Sequence, residues 1–181
     1  MTKIIIIINK LSLGGAEDFF CELGKKFSNK FTFAVLENDF SYKIDFELKK
    51  YGIPKKLPRL IKVIIKIVVL YLANRNYEKI ICFDNETAMI SYLVNKKKTK
   101  LVIHTYLPYF YKNKYKKKIF SIILREIYKN SGIISVSKTA TKGVEEIISI
   151  KNINLPIVYN LLNYDKLKLN NYFQIDEPIF F

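Results

Sequence analysis

The stretch IIIIINKLSLGGAEDFF, residues 4 to 20, runs from an unbroken apolar segment through a polar turn into a helix-like pattern opened by two adjacent glycines, Gly14 and Gly15. Such a turn can bring an anion within hydrogen-bond range of main-chain amides, because the first N–H groups of a helix lack internal partners and carry the positive end of its dipole. The same glycines serve equally for a tight turn or close helix packing. Two familiar phosphate loops are absent: the chain has no GxGxxG, and no GxxxxGK followed by Ser or Thr. Glu17 and Asp18, in the first turn, suit the dipole but repel phosphate unless they point away.

Other residues that could do chemistry sit where apolar runs end. His104 is the only histidine, and a neutral imidazole offers one donor and one acceptor, a fit for hydroxyl groups. Asp84, Asn85 and Glu86 follow another apolar run and could meet hydroxyls, although helix capping accounts for Asp84 or Asn85 as well. Ser137 reads as an N-cap, and Lys138 as a solvated lysine or one that leans toward a phosphate. No metal centre is expected, since one histidine and two distant cysteines cannot build a typical site.

Residues 96 to 118 hold nine lysines and no acid. Lys112, Lys114, Lys116, Lys117 and Lys118, interleaved with aromatics that include Tyr109 and Tyr111, suit an anionic bilayer surface, where each lysine contributes ~1 kcal/mol. A lysine-rich solvated loop is the plainer alternative. Stacking and phosphate contacts with single-stranded nucleic acid are a weaker one, because no nucleic-acid motif accompanies them.

These residues need a scaffold. The 181 residues, 50% hydrophobic, suffice for one core, and the net charge of +15 favours an anionic partner, although the Ile, Lys, Asn, Phe and Tyr bias could arise without one. Cys21 and Cys82 lie apart in apolar patterns, as in a reduced compartment. The five-isoleucine run is too short for a signal peptide, and the lysine-interrupted stretch 60–73 is too short to span a bilayer.

Period and turn signals predict strands at 3–9, 31–36, 53–57 (a short edge strand), 79–83, 100–104, 132–136 and 156–159. Helices are predicted from Gly15 to Phe27 and over 46–51 (closed by Gly52), 60–74, 86–95, 114–129 and 139–150. In the 60–74 helix Arg59, Lys62 and Lys66 line one side at i, i+3 and i+7, a basic face on a helix expected to cover the sheet. Strands alternating with helices predict an α/β fold, a Rossmann-like doubly wound parallel sheet with its site at the carboxyl ends of the strands.

Four segments in order, KIIIIINKLSLGGAEDFFCELGKKF, LVIHTYL, GIISVSKTATKGVEEI and INLPIVYNLLNYDKL, resemble the N-terminal domain of family 4 glycosyltransferases of the two-domain B-type fold. The resemblance implies a Rossmann-like acceptor-side domain over 1–160, with 161–181 a linker and the truncated start, DEPIFF, of a missing donor-binding domain. Asn160 would end a late strand, though Leu161 follows where the family usually has Gly.

The implied reaction moves a sugar, with retention, from a nucleotide-sugar to a cell-surface glycan or lipid-linked acceptor, with no cofactor or metal. Gly14 and Gly15 would approach the donor diphosphate, and His104 would contact the sugar or acceptor. Asp84, Asn85, Ser137, Lys138 and Asn160 are cleft candidates. The chain alone is expected to be inactive, either as a truncated gene product or as one half of a split enzyme awaiting a separate C-terminal half, and to lie in the cytoplasm on the inner face of the membrane. The alternative is a basic membrane- or nucleic-acid-binding module without catalysis; nucleic acid is the less expected partner.

Overall fold

The computed structural model describes residues 3–111, 113–130 and 132–159. Asn160, Lys112 and the segment 161–181 lie outside these residues. Six strands, β1 (Ile4–Ile8), β2 (Thr32–Glu37), β3 (Leu48–Ile53), β4 (Lys79–Cys82), β5 (Thr99–Ile103) and β6 (Ile133–Ser135), form one sheet in the order β3-β2-β1-β4-β5-β6. Every pair is parallel. The helices are α1 (Gly15–Phe27), α2 (Arg59–Asn76), α3 (Asn85–Val94), α4 (Lys114–Asn130) and α5 (Lys138–Ile148). The expected doubly wound Rossmann-like domain is what forms.

The isoleucine run is continuous because β1 is central and covered on both faces. Ile5 and Ile7 join a core with Leu70 and Ala73 of α2, Ala88 and Ile90 of α3, Phe120, Leu124 and Ile127 of α4, and Val144 and Ile147 of α5. Ile6 and Ile8 point the other way, into a second core with Phe19 and Phe20 of α1. One face thus carries four helices. The other carries α1 and the β2–β3 connection, whose Phe40, Tyr42, Ile44 and Phe46 pack there in place of a helix.

Three expectations need correction. Residues 46–51 are not a helix and 53–57 are not a strand: the edge strand is β3, at Leu48–Ile53. Its pairing with β2 advances from Val35↔Lys50 to Glu37↔Ile53, so one extra residue is accommodated on the β3 side. Gly52, with φ +69°, takes the left-handed conformation there, the usual office of a bulge glycine. It therefore bends a strand and does not close a helix. Over 156–159 only Ile157 bridges to Ser135, flanked by hydrogen bonds from Ser135 N to Pro156 O (2.9 Å) and from Val158 N to Ser135 O (2.8 Å).

The third correction concerns α2. Two of the three residues of its basic side face inward, Arg59 alone staying exposed: Lys66 is 1% exposed and lies 2.8 Å from both Glu37 Oε1 and Glu86 Oε1, while Lys62 Nζ donates to Glu37 Oε2 at 2.9 Å. Burial pushes the Glu37 carboxyl up, but the hydrogen bonds from Lys66 and Lys62 outweigh it and hold the group below its ordinary range. The apolar side of α2 faces outward, with Leu60, Ile64, Val68 and Tyr71 all at least half exposed.

Candidate functional site

Parallel strands place every β-to-α turn on one edge of the sheet, so Gly14 after β1, Asp84 after β4, His104 after β5 and Ser137 after β6 share the carboxyl edge. The strand order reverses direction between β1 and β4, with α1 on one face and α3 on the other. This is the point at which a doubly wound sheet opens a crevice. A cavity of about 120 Å³ occupies it, lined by Ile8, Asn9, Lys10, Ala16, Glu17, Phe83 and Asp84. A larger groove of about 700 Å³ lies at the opposite, amino edge, between Lys3, Lys30, Lys49 and Tyr77. Of the expected site residues only Asp84 lines the smaller one; Gly14, His104 and Ser137 share its edge of the sheet without lining it.

The glycine turn is occupied from within. Gly14 has extended backbone (φ 171°), and α1 opens with no side-chain cap. Gly14 N donates to the Tyr42 hydroxyl at 3.2 Å, and that hydroxyl donates back to Gly14 O at 3.2 Å. Glu17 folds back over the turn: a Cβ at Gly14 would meet only its flexible carboxylate, at 2.5 Å, and one at Gly15 would meet nothing within 4 Å. Ser12 Oγ donates to Glu17 Oε1 at 3.4 Å. Space alone therefore does not demand either glycine, and Glu17 does not point away from the helix start.

His104 stands in an aromatic corner. Its ring centroid lies 5.0 Å from that of Phe83 and 5.9 Å from that of Phe19. Nδ1 and Nε2 are both buried, and neither has a hydrogen-bond partner among the described residues. Asn9 Oδ1, on the cavity wall, is likewise buried and unpartnered among them. Burial holds the imidazole neutral, with its pKa lowered to about 4. Orphaned buried polar atoms cost roughly 1–3 kcal/mol each, and in a native protein such a group asks for an explanation, a ligand among them. Three such atoms at one edge can offer one donor and two acceptors to a polyhydroxylated ligand.

The other candidates serve the scaffold visibly. Asp84 accepts from Thr87 N and Asn9 N, each at 2.8 Å, so one carboxylate caps α3 and ties the exit of β1 to that of β4. Burial raises its pKa despite those bonds. Ser137 caps α5, accepting from Ala140 N at 3.0 Å. Lys138 is exposed at the first position of α5. Asn85 hydrogen-bonds Tyr111, whose ring stacks on Phe120 at 3.9 Å and 6°, so Tyr111 faces the core. Tyr109 is 67% exposed. Lys114, Lys116 and Lys118 are exposed and Lys117 half-buried in the first turns of α4.

The lysines of 96–118 do not form one surface. Lys96, Lys97 and Lys98 precede β5 at the amino edge, where Lys98 Nζ caps α2 through Asn74 O (2.6 Å) and Tyr77 O (2.8 Å). Lys114 to Lys118 follow β5 at the carboxyl edge. Sequence reasoning does not single out Asn9, Phe19, Phe83 or Tyr42. Of these Asn9, the polar residue ending the apolar run at the first crossover, has a readable signal.

One glycine is required by close approach. A Cβ on Gly143 of α5 would lie 2.9 Å from Leu107 N and 3.2 Å from Tyr106 Cα, backbone atoms of the turn that leaves His104. In an ordinary helix interior Gly→Ala stabilises by about 1 kcal/mol. Here Gly143→Ala is expected to destabilise by about 1–3 kcal/mol, since overpacking must move main chain. Urea unfolding gives the sign, and the Leu107 amide resonance reports the displaced turn.

Among the described residues no cluster of three or more His, Cys, Asp or Glu is placed to hold a metal ion, and no helix is long and apolar enough to cross a membrane. No family model and no curated protein matches the chain. Solved structures do. The chain is similar to Anabaena Alr3699/HepE crystallised with UDP (13% identity, TM-score 0.65, covering 93% of this chain and 49% of that one) and with UDP and glucose (11%, 0.69, 91% and 46%). It is also similar to UDP-N-acetylglucosamine 2-epimerase from Rickettsia bellii (10%, 0.54, 83% and 42%). The chain thus spans about half the length of these proteins, and its fold is the Rossmann-like α/β domain that makes one half of a B-type glycosyltransferase fold.

Proposed function

We propose that this chain is the acceptor-side half of a nucleotide-sugar-dependent glycosyltransferase of the family 4 type, acting with retention on a cell-surface glycan or lipid-linked acceptor. The carrying observation is the unmatched pair of His104 nitrogens on the same edge as the uncapped start of α1. The UDP and UDP-glucose complexes of structures with the same fold support the ligand class.

In this reading the donor diphosphate approaches the Gly14–Gly15 turn, while neutral His104 and Asn9 Oδ1 hydrogen-bond hydroxyls of the transferred sugar or the acceptor. Asp84 and Ser137 hold the crevice walls, with Asn85 and Lys138 at or near its rim. Most donor contacts would come from a second half, on a separate polypeptide or further chain, so little transfer is expected from residues 1–181 alone. The Lys114–Lys118 turns of α4, with Lys112 and Tyr109, would meet anionic lipid on the cytoplasmic face.

The test is a two-dimensional NMR titration with UDP and UDP-glucose. Saturable shifts at Gly14 and Gly15 with both ligands and at the His104 ring with UDP-glucose are expected, and His104→Phe should weaken UDP-glucose binding more than UDP binding. Glu17→Gln should tighten UDP binding about threefold to tenfold, because a carboxylate that must leave the helix start no longer opposes the phosphate. Absence of any shift at the glycine turn with either ligand would sink the reading.

A further inference from the structure

The outer face of α2 is an apolar stripe that nothing among the described residues covers. Leu60, Ile64, Ile67, Val68, Tyr71 and Leu72 are 73, 54, 41, 53, 54 and 49% exposed. At 100° per residue they occupy one side of the helix and run about 18 Å along it. A row this long is well beyond the scattered surface apolar residues of a monomeric protein, and contiguous patches of this kind mark interaction surfaces.

Charge says what kind. The helix contains no acidic residue, and the stretch 54–79 contains one, Glu78. Lys62 and Lys66 turn inward to Glu37 and Glu86, which leaves Lys56, Arg59 and Arg75 exposed around the two ends of the stripe. A second, parallel feature lies on the same side. Tyr115, Ile119 and Ile122 of α4, at i, i+4 and i+7, are 79, 60 and 57% exposed beside Lys114, Lys116 and Lys118. The inward residues of α2 and α4 belong to one core on one face of the sheet, so both rows lie on the outer side of the same helical layer.

We propose that this side of the molecule docks on an anionic lipid bilayer, with the α2 stripe seated among the headgroups and the Tyr115–Ile122 row of α4 as a second contact from the same helical layer. Two apolar rows on separate helices, each framed by basic residues, match an extended flat anionic surface. A second copy of this chain fits less well, because a +15 protein would bring like charges together at both ends of the stripe. The proposal extends the membrane contact beyond the α4 lysines and stands apart from the assignment of the sugar-nucleotide crevice. It also orients that crevice: α2 lies along the strands it covers, so a helix lying in the bilayer plane sets the carboxyl edge facing along the membrane, open to a lipid-held substrate from the side.

Two measurements test it. The chain has no tryptophan, so Tyr71→Trp gives a single reporter on the stripe. Phosphatidylcholine vesicles containing phosphatidylglycerol should blue-shift its emission and brominated lipid should quench it, whereas pure phosphatidylcholine should do little. In co-sedimentation with the same vesicles, Ile64→Glu/Val68→Glu should weaken binding at least about tenfold, from the lost burial of two aliphatic side chains, with circular dichroism and UDP titration unchanged. The proposal fails if the indole of the Tyr71→Trp protein keeps a water-exposed spectrum on vesicles to which the protein binds, which would leave the α4 lysines as a purely electrostatic contact. It fails too if the wild type is a dimer in solution that the Ile64→Glu/Val68→Glu pair dissociates, since a second copy then covers the face.

Discussion

Lys66→Ala is expected to lower the unfolding free energy by about 3–5 kcal/mol, the loss that follows when one member of a buried ion pair is removed. The lysine is 1% exposed and is held at 2.8 Å by carboxylates from two different elements, Glu37 at the end of β2 and Glu86 in the first turn of α3. Removing it leaves Glu37, 7% exposed, with Lys62 alone. For a domain of this size a loss of that order corresponds to about 10 °C in Tm. Lys66→Met keeps the packing of the aliphatic stem and isolates the charge, so it should cost less than Ala yet remain destabilising. Lys66→Met/Glu37→Gln should recover much of the difference, because the double change removes the uncompensated anion.

Urea unfolding of the wild type, Lys66→Met, Glu37→Gln and Lys66→Met/Glu37→Gln closes a double-mutant cycle, with Lys66→Ala measured beside it. A Lys66→Ala loss under about 1 kcal/mol, or a double variant no better than Lys66→Met, would mean that the network contributes little. The effect should reach the crevice as well. Glu86 lies two residues from Asp84, whose carboxylate ties β1 to β4, so the network fastens α2 to the elements that shape the switch point.

That network is invisible in the sequence for a physical reason. Lys62 and Lys66 fall at helical spacing with Arg59, and periodicity alone reads such a line as the solvated side of an amphipathic helix. The partners that turn it inward, Glu37 and Glu86, lie far from Lys66 along the chain, on other elements, and no local pattern announces them. The remaining residues of α2 are mostly apolar on every side, so burial could choose either face, and tertiary ion pairing decided which. The strand β3 escapes sequence reading for a related reason. LKKYGI carries its lysines on an edge strand with a bulge at Gly52, and a bulge breaks the two-residue alternation that would show a strand.

By contrast, the isoleucine run, the glycine turn, the histidine at the end of β5 and the alternation of strands and helices are legible, because local periods set them and each occurs where the parallel topology must put it. The carboxyl-edge location of Gly14, Asp84, His104 and Ser137 follows from that topology. What the chain order could not supply is occupancy: Tyr42 on Gly14, Glu17 over the helix start, and the commitment of Asp84 to two main-chain amides depend on side-chain placement.

Stability is expected to fall by about 2 kcal/mol between about pH 7.5 and pH 5 through His104 alone. The sign follows from the protonation states. Burial lowers the folded pKa from the ordinary 6.5 to about 4, so between these values the unfolded chain binds a proton that the folded chain does not. The contribution is complete above pH 6.5, declines through the window, and levels off below about pH 4. As the only histidine, it separates cleanly from the carboxylates, which titrate mostly below about pH 5. His104→Phe should remove that slope.

The same variant should also stabilise the protein at neutral pH, or leave it unchanged, because a ring that fits beside Phe19 and Phe83 replaces one with two orphaned buried nitrogens. A residue whose removal improves the fold is being kept for something else, and in the proposed reading that is the hydrogen bond to a sugar or acceptor hydroxyl. NMR titration of the imidazole protons gives the direct check: a midpoint near the ordinary value of about 6.5 would place His104 in water. A His104→Phe protein that lost stability at about pH 7.5 while retaining UDP-glucose shifts would make the histidine a structural residue.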